Sequence, residues 1–183
     1  MQLKIRLLSM AVAMGCLAST ARGQTTITVT NLADFDPGSL HAAVIEANTS
    51  PVPVTIEFNY TGSPPFIIRY SNSFLPYLTN QISIDGASQP GYAGTPLVWL
   101  DGSGETNPSN FGILLQGGNS TVKALRVFNY TSTGIILGNK DGDTVVGCVI
   151  VSNQQGITVN TSDNTVGGTN SLQRNIIGGN TYA

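Results

Sequence analysis

The sequence predicts an all-β chain, a stacked parallel β-solenoid whose start is covered by one short helix. Three observations predict it. From Phe111 onward the chain repeats with a period of about 22 residues. The repeat is made of short β-branched runs such as GILL, GIIL and GITV, bounded by Gly and Asn rather than by helix formers, and this excludes the common helical repeats. Only 10% of residues are charged, against 21 glycines. That balance favours many short strands and tight turns, because Gly and Asn tolerate positive φ while β-branched side chains suit a pleated surface.

Residues 1–23 read as a secretory signal peptide. Lys4 and Arg6 precede the apolar stretch LLSMAVAMGCLAS, which is too short for a membrane span of about 20 residues, and small residues follow at Ser19, Ala21 and Gly23. Cys16 after Ala-Met-Gly allows a lipoprotein as a weaker alternative. Removal of the leader takes Lys4, Arg6 and Arg22 with it. Lys plus Arg then falls from 8 to 5 against 10 acids, and the formal charge moves from −2 to −5. So few cations argue against nucleic acid as a partner. Cys148 is left as the one cysteine and reads as a small apolar core residue. No second long apolar run follows, so no transmembrane segment is expected after the leader.

Residues 24–53 supply an edge strand, TTITVTN, and the capping helix LHAAVIEAN. Ser39 is placed to cap it, and Leu40, Ala43, Val44 and Ala47 fall on one face. A solenoid exposes the apolar cross-section of its first coil, and an amphipathic helix is the expected cover. Residues 54–110 hold the strands VTIEFN, FIIRY, QISIDG and PLVWLDG of irregular first coils.

Residues 111–183 are the regular coils. Gly112-Ile113, Gly134-Ile135 and Gly156-Ile157 recur at steps of 22. Thr121-Val122, Thr144-Val145 and Thr165-Val166 follow at steps of 23 and 21. Alternation points Ile113, Ile135 and Ile157 inward with Leu115, Leu137 and Val159. Asn129, Asn153 and Asn180 close apolar runs, either as a side-chain ladder from coil to coil or as turn residues in the left-handed conformation. GGTNSLQRN reads as an inserted loop in the last coil.

The strings TVTNLADFDPGSLHAAVIEAN, VTIEFN, ISIDGASQPGYAGTPLVWLDGSG and DNTVGGTNSLQRNIIGGN resemble the N-terminal region of large exported bacterial right-handed parallel β-helix proteins, the pectin-lyase-like superfamily. The resemblance implies the right-handed coil. It also implies further coils beyond NIIGGN, so the chain, ending at Ala183, is expected to be truncated. The superfamily includes polysaccharide lyases and hydrolases, but the hydrolase pattern of Asn-Thr-Asp, an Asp pair and Gly-His-Gly is missing here. Asn160-Thr161 is followed by Ser162 and Asn164-Thr165 by Val166, and the single histidine, His41, lies on the capping helix as an expected solvated side chain.

The expected function is therefore a secreted or cell-surface module, non-catalytic, for adhesion or glycan binding. The alternative is a fragment or relative of a polysaccharide lyase or hydrolase. No catalytic residue, metal ligand set or cofactor is assigned. The Asn139–Asp143 segment, NKDGD, lacks the distal Glu of a Ca²⁺ loop and reads as a polar turn. Asp85 and Asp101, each before a glycine, read as turn caps. Carbohydrate-binding candidates are Trp99, predicted to face outward between Val98 and Leu100, and Tyr92 in the neighbouring QPGYAG loop; the alternative is that this loop covers the indole and leaves no stacking surface. The partner expected is a polysaccharide or cell-surface glycan.

Overall fold

The computed structural model of the chain describes residues 23–71, 74–104 and 110–182. The predicted leader lies outside the described residues except for Gly23. In chain order, β1 (Thr25–Val29) is followed by α1 (Leu40–Asn48), β2 (Val54–Phe58), β3 (Phe66–Ile68), β4 (Ile82–Asp85) and β5 (Val98–Asp101). Then come β6 (Ile113–Leu115), β7 (Thr121–Lys123), β8 (Leu125–Phe128) and β9 (Thr133–Leu137). The chain closes with β10 (Thr144–Val146), β11 (Val149–Val151), β12 (Gln155–Val159), β13 (Thr165–Val166) and β14 (Ile176–Gly178).

Among the described residues the fold is all-β apart from α1 and two single 3₁₀ turns, and every strand pair is parallel. The first sheet runs β1-β2-β4-β7-β10-β13, the second β3-β5-β8-β11-β14, and the third β6-β9-β12. Strands of the three sheets alternate along the sequence, so each later circuit of chain adds one strand to each sheet. The repeat is this circuit. Ile113, Ile135 and Ile157 stand in register at steps of 22, and Thr121, Thr144 and Thr165 at steps of 23 and 21. Earlier circuits are longer: Ser83 pairs with Thr121, 38 residues on, and Phe66 with Val98, 32 residues on. In place of a third-sheet strand they offer one bridge, Leu78 to Leu115.

Alternation fixes the core. Ile56, Ile84, Val122 and Val145 are fully buried in the first sheet, as are Leu100, Val127 and Ile150 in the second and Ile113 and Ile135 in the third. The glycine before each of these isoleucines has a steric cause. A Cβ on Gly112 would lie 2.4 Å from the Gly134 carbonyl oxygen, so stacked circuits meet there backbone to backbone.

The corners follow one rule, a left-handed residue and then an inward polar one. Asn119, Gly142 and Asp163 have φ of 51°, 86° and 57°. Ser120, Asp143 and Asn164 come next, and each of the last two side chains accepts the backbone N–H one circuit earlier: Asp143 Oδ1 from Ser120 (2.9 Å) and Asn164 Oδ1 from Asp143 (2.9 Å). At the other corner Asn129, Ser152 and Gly179 have φ of 63°, 58° and 63°. The predicted asparagine ladder is thus out of step by one. Val127 pairs with Ile150, which aligns Asn129 with Ser152 and Tyr130 with Asn153. Asn129 serves as the left-handed residue, while Asn153 and Asn180 form the ladder. Tyr130 N donates to Asn153 Oδ1 (3.0 Å), and Asn153 Nδ2 donates to Asn180 Oδ1 (3.2 Å).

α1 covers the β1 end, with Leu40, Ala43, Val44 and Ala47 buried and Ser39 Oγ accepting from Ala42 N at 3.2 Å. His41 differs from expectation. It is half-buried, its ring edge-on to Phe35 at 4.8 Å, and burial holds its pKa below the usual value against the opposing charge of Asp34. Cys148 is fully buried, and burial pushes its thiol up to about 12. Among the described residues no helix is long and apolar enough to cross a membrane.

Candidate functional site

Trp99 stands on β5 with Val98 and Leu100 buried on either side, so its indole lies on the outer face of the second sheet. It is half-buried, because its neighbours enclose it. The indole Nε1 donates to the Pro96 carbonyl at 2.9 Å, which ties the ring to the loop before β5. Arg126 on β8 stands directly across from it in the register. The guanidinium carbon is 4.8 Å from the Trp99 ring centroid and 5.1 Å from that of Phe128. The two rings meet edge to face, 5.9 Å apart at 89°.

This three-residue cluster orders a cation. Each cation–π contact contributes about 0.5–1 kcal/mol near a surface and more when desolvated. Arg126 Nε is buried and makes no hydrogen bond. Among the described residues Arg126 forms no salt bridge, unlike Arg69 on the same sheet, whose Nε is 2.7 Å from Asp101 Oδ2. Burial works against the Asp101 carboxylate, but hydrogen bonds from Asn129, Ser103 and Arg69 outweigh it and hold its carboxyl below the usual range. Asp101 therefore stays ionised and is paired with Arg69, while among the described residues Arg126 has no carboxylate at salt-bridge distance. A planar guanidinium fixed between two rings is pre-organised for a carboxylate or sulfate, and an aromatic ring face beside it suits the C–H face of a sugar.

Tyr92 lies elsewhere. It is half-buried, and burial pushes its hydroxyl pKa up, opposed by Lys123 and reinforced by Cys148 and Asp85. Lys123 and Asp85 form their own salt bridge at 3.0 Å. Tyr92 and Trp99 share no ring contact, so the structure does not join them in one platform.

Asp85 and Asp101 both cap turns, accepting from Ala87 N (2.9 Å) and Ser103 N (3.1 Å). In the NKDGD turn Asp143 is fully buried, its Oδ2 has no partner, and burial raises its pKa despite the Ser120 hydrogen bond. Among the described residues no group of three or more His, Cys, Asp or Glu side chains could hold a metal ion.

Sequence reasoning placed Trp99 outward, as it stands on β5, and did not pair it with Arg126 and Phe128. Their signal is the alternation in LRVF, which sends both outward once Leu125 and Val127 are inside, but pairing them with Trp99 needs the register across an irregular step of 27 residues between Val98 and Leu125. It also missed a group of three rings in which Phe74 and Tyr77 are exposed and Phe111 is half-buried. No protein-family model, no curated protein and no solved structure matches this chain, so the argument for its function rests on the geometry of these faces.

Proposed function

We propose that this chain is a right-handed parallel β-helix module, exported from the cell, that binds acidic glycan without transforming it. The observation that carries the reading is the Trp99–Arg126–Phe128 cluster, a cation ordered against aromatic rings on an outer sheet face and, among the described residues, without a salt bridge. Its geometry supplies recognition: the guanidinium takes the anionic group, and the rings take the apolar face of the sugar. The right-handed coil and export stand on the resemblance set out above, and the alternating parallel sheets agree with such a coil.

Affinity electrophoresis through gels containing a uronate polymer tests it. The chain is expected to be retarded, and Trp99→Ala and Arg126→Ala each to weaken retardation at least fivefold. Added salt should reduce it too, since the contact is partly ionic. Equal mobility with and without polymer, or variants that match the parent, would overturn the reading. Incubation with the same polymer and Ca²⁺ addresses the alternative: new unsaturated ends absorbing in the ultraviolet would establish a lyase.

A further inference from the structure

The third sheet carries a surface of a different character. Leu78 bridges Leu115 in parallel at the free edge of β6, and Leu75 and Leu78 are buried. Phe74 and Tyr77 are thereby turned outward and remain 45% and 38% exposed. Their rings stack at 5.7 Å and 23°, and Phe111 completes the group at 5.7 Å from Tyr77 and 6.3 Å from Phe74. Asn48 at the end of α1 holds the segment in place, with Nδ2 donating to the Tyr77 carbonyl (2.8 Å) and Oδ1 accepting from Thr79 N (2.8 Å). Two exposed rings backed by the half-buried Phe111 form an apolar patch of the kind that marks an interaction surface.

The rest of the face says what it fits. Leu114 and Ile136 lie half-buried on its outer side, in register with Thr158 on β12. Beside them the half-buried Thr158 hydroxyl donates to the exposed Gln155 Oε1 at 3.0 Å, and the buried Thr133 hydroxyl donates to the same oxygen from beneath at 3.1 Å. None of these side chains is charged at neutral pH. An aromatic step followed by neutral hydroxyl and amide groups suits a ligand with apolar C–H faces and hydroxyl edges. None of the described side chains named on this face carries the cation that defines the second sheet. We infer that the third-sheet face, anchored on Phe74, Tyr77 and Phe111, is a second binding site that takes an uncharged polysaccharide. This inference rests on the reading of the molecule as a glycan-binding module but uses a separate face and a separate sugar chemistry.

Affinity electrophoresis of the full chain through gels of neutral glucan, mannan or galactan provides the test. Retardation is expected in at least one, with Phe74→Ala and Tyr77→Ala each weakening it fivefold or more. Tyr77→Phe, which keeps the ring, should stay within twofold, and Trp99→Ala should leave neutral binding unchanged. Circular dichroism that matches the parent shows each variant to be folded. The site is overturned if no neutral gel retards the parent or if Tyr77→Ala migrates like it. It is also overturned if Tyr77→Ala abolishes a concentration-dependent self-association while glycan binding persists, because the rings would then serve a second copy. Binding to neutral but not acidic gels would remove the second-sheet site and leave this one standing.

Discussion

The two ends of the stack carry the same pattern and have opposite fates. At the β1 end, α1 lies across the sheet and Val29, Val44 and Ile56 are fully buried. At the other end Val159, Val166 and Ile177 are 51%, 44% and 47% exposed. Each of these stands in register with a fully buried residue one circuit earlier, namely Leu137, Val145 and Ile150. Side-chain type and strand register are alike in the two circuits. Burial here is a property of the layer above and not of the strand itself, which is how repeat folds distribute their stability.

The strongest way to break that comparison is to delete the same side chain at both levels. Ile150→Ala removes a packed side chain from an enclosed site, and a loss of about 2–5 kcal/mol is expected. Ile177→Ala, one circuit on, is expected to cost less than about 1 kcal/mol, because water already reaches it. Urea unfolding of both variants with a common m-value measures the difference. Equal losses would mean that the last circuit is covered in solution. Its unpaired strand edges would then be meeting another chain.

The asparagine ladder sharpens the same contrast with polar groups. Asn153 is buried; it accepts from Tyr130 N and donates to the Val127 carbonyl at 3.2 Å. Asn153→Ala strands those buried backbone groups, at a cost of about 1–3 kcal/mol. Asn180 makes the equivalent bonds to Asn153 N (2.9 Å) and the Ile150 carbonyl (3.2 Å), yet it is half-exposed. Water can replace its amide, and Asn180→Ala should cost about half as much or less. A larger loss for Asn180 than for Asn153 would show that ladder strength does not follow burial.

How much of this was legible in the sequence depends on which residues set the circuit length. Where turns are short, the Gly-Ile and Thr-Val pairs mark the register themselves, and the inward columns at Ile113 and Ile135 could be read directly. The helix was legible from Ser39 and the spacing of its four apolar residues. Circuits lengthened by the loops between β3 and β6 gave no such marks. SFLPYL offers no alternation over more than a few residues and holds a proline, so its outward rings were invisible before Leu78 was seen to bridge Leu115. The asparagine ladder failed by one position for a related reason. Asn129 and Asn153 look equivalent after an apolar run, but Ser152 is an additional residue in the second run and occupies the left-handed place. Trp99 was legible as an outward ring; its partner Arg126 was not, because a contact across circuits depends on register.

The smallest effect concerns the first-sheet corner, where Asp143 occupies a ladder place filled by Ser120 and Asn164 in the adjoining circuits. Its Oδ1 is used by Ser120 N, its Oδ2 has no partner, and no part of the residue is exposed. Burial raises its pKa, and the Asp141 charge adds to the rise against the Ser120 hydrogen bond. A carboxyl whose folded pKa is raised binds its proton more tightly in the folded state. Stability is therefore lost as pH climbs from the unfolded value of about 3.9 through the folded one, and the full penalty is present at neutral pH. Asp143→Asn keeps the acceptor oxygen and removes the charge. Its melting midpoint at pH 7 is expected to rise by about 2–4 °C, the shift that about 1 kcal/mol produces in a chain of this size. The gain should shrink towards zero by pH 3, where Asp143 is protonated in both states. Thermal unfolding of parent and variant across that range checks it, and a gain that stays constant with pH would assign the effect to packing and remove the buried charge as its cause.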